Sequence, residues 1–188
     1  MRKMLTPFVA VAVVLSPSFL FAQKNNDSNI PYVHGPASES RLLTEIRHQL
    51  VMLPYYSVFD DLAFRVDGGT VTLLGAVTRP TLKSSAENVV KRIEGVTQVN
   101  NQIEVLPLSP MDDQIRRAMV RAIYGDPNIS TRYAYQALPS IHIIVKNGNV
   151  VLKGLVANQF DKTLVYTRAS SVPNVFKVVN ELQIENSK

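Results

Sequence analysis

The sequence predicts an α+β protein made of two tandem modules, each a small three-stranded sheet packed against two helices. Three observations support this prediction. The chain repeats its pattern of apolar and turn residues at a constant offset of 79 positions. Each copy shows helical and strand periodicity in the order α-β-β-α-β. Apolar residues make up 46% of the 188 residues, which is enough to form packed cores.

The repeat is most evident in a hairpin segment, where residues 69–77 read GTVTLLGAV and residues 148–156 read GNVVLKGLV. The same offset continues into a later segment, where it pairs Val96 with Val175, Val99 with Val178, Asn101 with Asn180 and Ile103 with Leu182. It also pairs Gly95 with Asn174, and these two residue types most readily adopt left-handed backbone. One register held over more than forty positions is a strong signal of a repeat, and chance explains it poorly.

Repeat one, residues 39–107, begins with a predicted helix over about 39–53. Its apolar residues recur at helical spacing, at Leu42, Leu43, Ile46 and Leu50. Asp67-Gly68-Gly69 predicts a hairpin turn between two strands. The pattern then predicts a helix over about 80–94 and a strand over 96–105, and a short linker at 106–108 leads into the second copy.

Repeat two, residues 109–186, opens with a helix start signal. Ser109 is a favourable N-cap, Pro110 suits the first helical position, and Asp112 suits the first turn. The helix carries an apolar stripe at Ile115, Ala118, Met119, Ala122 and Ile123. We place Arg116, Arg117 and Arg121 on the opposite, polar face, and we expect residues 125–127 to end the helix.

The remainder of repeat two predicts a hairpin, a helix and a strand. A strand over 141–145 leads into an Asn147-Gly148 turn, and Gly154 in the second strand indicates a bulge or a close approach. Asn158 is the expected cap of a helix that reaches about residue 171. Pro173 ends that helix, and residues 175–184 form the last strand.

The N-terminus is typical of a cleavable signal peptide over residues 1–22. Arg2 and Lys3 precede an apolar run over 4–15, and the small Ala22 suits a cleavage site. That run is shorter than the roughly 20 residues of a spanning helix, so we expect no transmembrane span after cleavage; an uncleaved anchor is the alternative. The polar residues 23–38 predict a flexible leader. We therefore expect a periplasmic protein.

Charge and cysteine content exclude several classes of protein. The formal charge is +5, but Arg2 and Lys3 belong to the predicted signal peptide. Export and the reduced charge that remains argue against nucleic acid as a partner. The chain has no cysteine, which excludes disulfides, thiolate metal sites, cysteine nucleophiles and a lipid anchor on cysteine.

The pattern of glycines and apolar residues resembles the BON domain, a module named for bacterial osmotic-stress and nodulation proteins, present here twice. The structural motif residues are Gly69, Gly75 and Gly95 in the first copy and Gly148 and Gly154 in the second. The resemblance implies non-catalytic binding modules of exported envelope proteins, associated with phospholipid surfaces and stress protection. Copy two departs by having Asn174 for the glycine, Val165 in place of Ala86, and about seven extra residues before its first strand.

The sequence contains no constellation that predicts catalysis. The histidines at 34, 48 and 142 are scattered, and no His or carboxylate lies beside them at metal-ligand spacing. The neighbouring carboxylates at 60–61 and 112–113 do not point at one substrate, and the second pair suits a helix N-terminus. No phosphate-loop or dinucleotide motif occurs. We predict no enzymatic activity, no catalytic residue, no metal and no cofactor.

The candidate binding residues lie on the first helix of repeat two and in the loop over 126–140. They are Arg116, Arg117, Arg121, Tyr124, Arg132, Tyr133 and Tyr135. Arginines attract anionic phosphates, and tyrosines favour the headgroup interface, so the set fits a phospholipid surface or an envelope protein. The alternative is a solvated helix face with a loop whose tyrosines cover the edge of the core.

Two other functions remain open at the level of sequence. The first is a periplasmic chaperone or scaffold that binds proteins through sheet edges or apolar grooves. The second is an accessory subunit of an envelope or secretion complex. The leading hypothesis is a soluble exported protein that binds envelope phospholipid or a membrane-associated partner and acts in envelope maintenance or stress protection.

Overall fold

The computed structural model describes residues 37–136 and 138–185, with side chains from residue 40 onward. The predicted signal peptide over 1–22 lies outside these residues, as does most of the predicted leader. The first helix, α1, spans Ala37–Val51, so the last two positions assigned to the leader are helical. Within the described ranges, no helix is both long enough and apolar enough to cross a membrane.

Repeat one has the predicted order α-β-β-α-β. After α1 come β1 (Asp61–Asp67), β2 (Thr70–Val77), α2 (Pro80–Val90), β3 (Gln98–Asn101) and β4 (Glu104–Val105). The hairpin strands β1 and β2 are antiparallel, and β3 and β4 both pair with β2 in parallel. The sheet therefore has three strand positions with β2 at its centre, and the third position is occupied by two short strands.

Repeat two has the same topology with one addition. Its elements are α3 (Pro110–Tyr124), α4 (Pro127–Ile129), a π-helical turn (Ser130–Ala134), β5 (Ile141–Lys146), β6 (Asn149–Val156), α5 (Gln159–Ser170), β7 (Lys177–Asn180) and β8 (Gln183–Ile184). β6 is central, antiparallel to β5 and parallel to β7 and β8. The extra residues of this copy, predicted as a loop, are helical over much of their length.

An asparagine causes the break in the third strand of each repeat. The Asn101 side-chain oxygen accepts a hydrogen bond from the Ile103 N–H at 3.2 Å, while its amide donates to the Lys83 carbonyl at 2.9 Å. Asn180 makes the equivalent two bonds in repeat two. The asparagine side chain takes the place of a hydrogen-bond partner in the neighbouring strand, and it attaches its own strand to the preceding helix. The strands predicted over 96–105 and 175–184 are therefore each interrupted.

Several local predictions are confirmed by the backbone. The Ser109 hydroxyl accepts from the Asp112 N–H at 3.2 Å, and the Asn158 side chain accepts from the Asp161 N–H at 2.9 Å. Gly154 has φ +114°, and a Cβ at this position would lie 1.8 Å from the Ser140 carbonyl oxygen. The predicted close approach is thus real, and it excludes any residue with a side chain.

Each repeat has its own apolar core between its helices and its sheet. In repeat one the core contains Ile46, Leu50, Val71, Leu73, Val77, Leu82, Ala86, Val90 and Ile103. In repeat two it contains Ile115, Met119, Ile123, Ile129, Ile141, Ile143, Val145, Val150, Leu152, Val156, Val165, Ala169 and Leu182. The second core is the larger because the inserted helical segment adds Ile129 and Tyr133 to it.

The two repeats contact each other along β5. This strand lies at the edge of its sheet, yet its residues Ile141 to Val145 are all buried. The connection between α1 and β1 covers it, and the Ile143 N–H donates to the Val58 carbonyl at 2.7 Å. An edge strand that would otherwise present open hydrogen-bonding groups is thereby closed by the other repeat.

Candidate functional site

The structure places the first predicted arginine of α3 inside the fold. Arg116 is 6% exposed, and its guanidinium donates to the Val145 carbonyl at 2.8 Å and to the Asp113 carboxylate at 2.6 Å. Our prediction that Arg116 lies on the open polar face is wrong. The side chain binds the end of β5 and has no free surface to offer an anionic ligand.

The predicted loop residues Arg132 and Tyr133 are also engaged within the protein. Both donate to the same oxygen of Asp161, the Arg132 guanidinium at 2.6 Å and the Tyr133 hydroxyl at 2.6 Å. Asp161 is fully buried at the start of α5, and its hydrogen bond and charge raise the pKa of Arg132. These contacts attach the inserted segment to α5 and remove Tyr133 from the surface.

The Tyr133 hydroxyl of repeat two accepts a backbone N–H whose counterpart in repeat one is accepted by a carboxylate. The Asp60 carboxylate accepts the Thr78 N–H at 2.6 Å just after β2. The matching N–H after β6, that of Ala157, donates to the Tyr133 hydroxyl at 2.8 Å. The insertion therefore satisfies a backbone group at the end of the central strand, which is a structural role.

Two further contacts fasten the same segment. The Tyr124 hydroxyl donates to the Ile141 carbonyl at 2.6 Å, and burial raises the pKa of this phenol. Arg168 of α5 donates to the Asp126 carboxylate at 2.7 and 2.9 Å, and these bonds lower the pKa of Asp126. Of the predicted tyrosines only Tyr135 projects into solvent, with 85% of its surface exposed. The alternative reading, in which loop tyrosines cover the core edge, describes Tyr124 and Tyr133.

Arg117 and Arg121 remain as the exposed predicted arginines of α3, and they border one groove. The groove has a volume of about 260 Å³ and is lined by Met111, Gln114, Ile115, Arg117, Ala118, Arg121, Pro173 and Asn174. No acidic residue is among its lining residues. Neither arginine takes part in an ion pair with any residue of the described ranges.

Apolar side chains project from the same end of repeat two. Met111, which lines the groove, is 53% exposed, and Phe176, two residues beyond Asn174, is 83% exposed. The Phe176 ring lies against Gly148, where a Cβ would come within 2.6 Å of it. Asp112 connects these parts, because its carboxylate accepts the Gly148 N–H at 2.8 Å. We define the cationic groove and these two side chains together as the α3 site.

The carboxylates singled out in the sequence hold turns. Asp60, fully buried, accepts from Ser57 and Thr78, and Asp112, also buried, accepts the N–H groups of Asn147 and Gly148. Asp112 thus braces the hairpin in addition to lying in the first turn of α3. In the described ranges no cluster of His, Cys, Asp and Glu is suited to hold a metal ion.

The sequence reasoning missed the apolar part of the α3 site. Phe176 follows the turn residue Asn174 at a position where repeat one has Thr97, and that difference between matched copies was the available signal. The burial of His142 was not predicted either. His142 is 9% exposed, and its Nδ1 has no hydrogen-bond partner.

Comparison with known proteins gives the family. The model of the BON domain matches residues 38–107 and 112–186, which together exceed half of the chain. The chain belongs to the BON domain family. The α3 site therefore lies in the second of two BON segments, and the inserted helical turn lies within that segment as well.

Two solved structures of CdsD, a structural protein of the type III secretion system of Chlamydia trachomatis, are similar to this BON protein. One, a C-terminal domain, is 14% identical, covers 77% of this chain and 98% of its own, and has a TM-score of 0.31. The other is 14% identical, covers 79% and 94%, and has a TM-score of 0.33. A search of the curated proteins finds no match.

Proposed function

We propose that this BON protein is a non-catalytic protein of the cell envelope that binds anionic phospholipid surfaces through the α3 site. The observation that carries the proposal is the pairing of two exposed, unpaired arginines with a groove that has no acidic lining residue. Every other predicted cation of this region, namely Arg116 and Arg132, is already neutralised by a carboxylate. Arg117 and Arg121 are the groups left to meet a phosphate.

The proposed contact combines charge with limited apolar burial. A cation near an anionic membrane contributes about 1 kcal/mol, so Arg117 and Arg121 together supply a weak, salt-sensitive attraction. The exposed side chains of Met111, at the start of α3, and Phe176 add burial at the headgroup level. The chain has no cysteine for a lipid anchor on that residue, so we expect reversible binding through the surface.

Membership of the BON family supports the wider features of this proposal. It favours a binding role at the envelope over an enzymatic one. The proposed location is the periplasm, after removal of the signal peptide predicted over residues 1–22. The proposed role in envelope maintenance or stress protection follows from the family resemblance and from reversible lipid contact.

Vesicle flotation tests the proposal. The purified protein without residues 1–22 is mixed with vesicles of phosphatidylglycerol and phosphatidylcholine, or of phosphatidylcholine alone, over a series of salt concentrations. We expect flotation with the anionic vesicles that declines as salt rises. The Arg117→Glu/Arg121→Glu double variant should lose flotation at every salt concentration, because both changes reverse charges on the groove.

The matched control reverses two other exposed arginines. Arg41 and Arg92 line the corresponding groove of repeat one, so Arg41→Glu/Arg92→Glu changes the net charge by the same amount elsewhere. This control should retain flotation. Failure of the wild type to float at low salt contradicts the lipid mechanism, and equal loss in both double variants contradicts its assignment to the α3 site.

A further inference from the structure

The contact between the two repeats contains a buried histidine. His142 lies on β5, and its ring stacks on the ring of Tyr56 from repeat one, with the centroids 5.6 Å apart and the planes at 22°. The next residue, Ile143, donates its N–H to the Val58 carbonyl at 2.7 Å. The His142 imidazole is therefore held between the connection of repeat one and the edge strand of repeat two.

The surroundings of His142 disfavour its charged form. Burial lowers the pKa of the imidazole, and its buried Nδ1 has no hydrogen-bond partner. Lys153 lies directly across from His142 on β6, and its ammonium is paired with the carboxylates of Asp61 and Glu181. Other neighbours raise the pKa of His142. They are the backbone of Asp60 and of Ser57, through hydrogen bonds, and the negative charges of Asp61 and Asp60.

The acidic neighbours are already engaged, which limits their help to an imidazolium. The Asp61 carboxylate accepts from the Lys153 ammonium at 2.8 Å, and this ion pair joins the two repeats. The Asp60 carboxylate accepts the N–H groups of Ser57 and Thr78. The facing titratable and charged groups are thus Tyr56, Asp60 and Asp61 from repeat one and Lys153 from β6.

We propose that His142 is the pH-sensitive latch of the two repeats, and that its protonation releases the connection over residues 56–61 from the edge of β5. The ring stack with Tyr56, the backbone bond to Val58 and the Lys153–Asp61 ion pair all involve this connection, so they are lost together. Release uncovers the hydrogen-bonding edge of β5 and withdraws Phe59 from the core of repeat two, while the helices and sheet of each repeat stay packed on each other.

The direction of the effect follows from linkage. The docked state binds the proton less tightly than the released state, whose histidine titrates near its ordinary pKa of about 6.5. Above that pH, the equilibrium between the docked and the released connection therefore does not depend on His142. Below it, the docking constant falls by about tenfold per pH unit until the pH reaches the pKa of the docked imidazole.

Amide hydrogen exchange of the protein measured by NMR tests the latch. The reporter is the Ile143 amide, with the amides of β6 as a reference for global unfolding. Between pH 7.5 and 5, we expect the protection of Ile143, corrected for the intrinsic exchange rate, to fall below pH 6.5 by at most tenfold per pH unit and to level off at the pKa of the docked imidazole. The β6 amides should stay protected. The decline should coincide with the titration of the His142 ring signals.

Two variants separate this histidine from other titrating groups. His142→Phe keeps a ring against Tyr56 but cannot be protonated, so the Ile143 protection should no longer depend on pH. His48→Gln removes an exposed histidine of α1 and should behave as the wild type. The proposal is overturned if Ile143 and β6 lose protection together, if wild-type protection does not change, or if it declines outside the titration of His142. A decline in a folded His142→Phe variant that matches the wild type also overturns it.

Discussion

At the scale of single residues, two adjacent arginines in α3 have opposite roles. Arg116 and Arg117 are consecutive, so the helix turns them about 100° apart, and only one faces outward. Arg116 meets a carbonyl of β5 that lies 29 positions later in the chain. The sequence shows both charges but not that acceptor. The run of arginines therefore predicted a single binding face. In the fold, Arg116 is structural and Arg117 is exposed.

Replacing each arginine by methionine tests this difference. Arg116→Met retains the apolar stem but leaves the buried Val145 carbonyl without its donor, so we expect the free energy of unfolding to fall by about 1–3 kcal/mol. Arg117→Met should change it by less than about 0.5 kcal/mol, because the side chain is exposed and unpaired. Urea unfolding followed by circular dichroism measures both. Similar values for the two variants would contradict the assignment.

At the scale of elements, the inserted segment of repeat two is a structural support. It supplies Tyr133, which accepts the backbone N–H that Asp60 accepts in repeat one. The segment is then fastened to α5 through Asp161 and Arg168. Extra residues in one copy of a repeat suggest a specialised function. Here they supply the hydrogen-bond acceptor that a carboxylate supplies in the other copy.

Removal of one hydroxyl tests the support. Tyr133→Phe keeps the ring in the core but loses the bonds to Asp161 and Ala157, so we expect the free energy of unfolding to fall by about 1–3 kcal/mol. Tyr135→Phe is the matched control, and because that ring is exposed it should leave stability unchanged. Thermal and urea unfolding give the comparison. If Tyr133→Phe is as stable as the control, the hydroxyl does not support the segment.

Elements defined by local signals were predictable, and contacts between distant elements were not. The caps at Ser109 and Asn158, the hairpins and the α-β-β-α-β order follow from neighbouring residues and from matched copies. The breaks at Asn101 and Asn180 depend on a bond to a helix 18 positions earlier. Of the predicted site, Arg117 and Arg121 remain at the surface groove, while Arg116 and Tyr133 became structural through contacts that no local pattern reveals.

At the scale of the whole molecule, the tandem arrangement does more than duplicate a module. Repeat one closes the edge strand of repeat two through the Val58 carbonyl and the Asp61–Lys153 ion pair.

The two copies have also diverged at equivalent grooves. The groove of repeat one, about 1270 Å³, includes Glu45 and Glu94 among its lining residues, whereas the smaller groove of repeat two has no acid. This divergence supports the proposal that anion binding belongs to the second repeat.

The central claim, that the α3 site is the lipid-binding surface, is tested most directly by an NMR footprint. Isotope-labelled protein without residues 1–22 is titrated with bicelles that contain phosphatidylglycerol, and amide signals are followed at low salt. We expect the perturbed amides to cluster at residues 111–121 and 173–176, with no effect from bicelles that lack the anionic lipid. Perturbations confined to repeat one, or equal perturbations with both kinds of bicelle, would contradict the account.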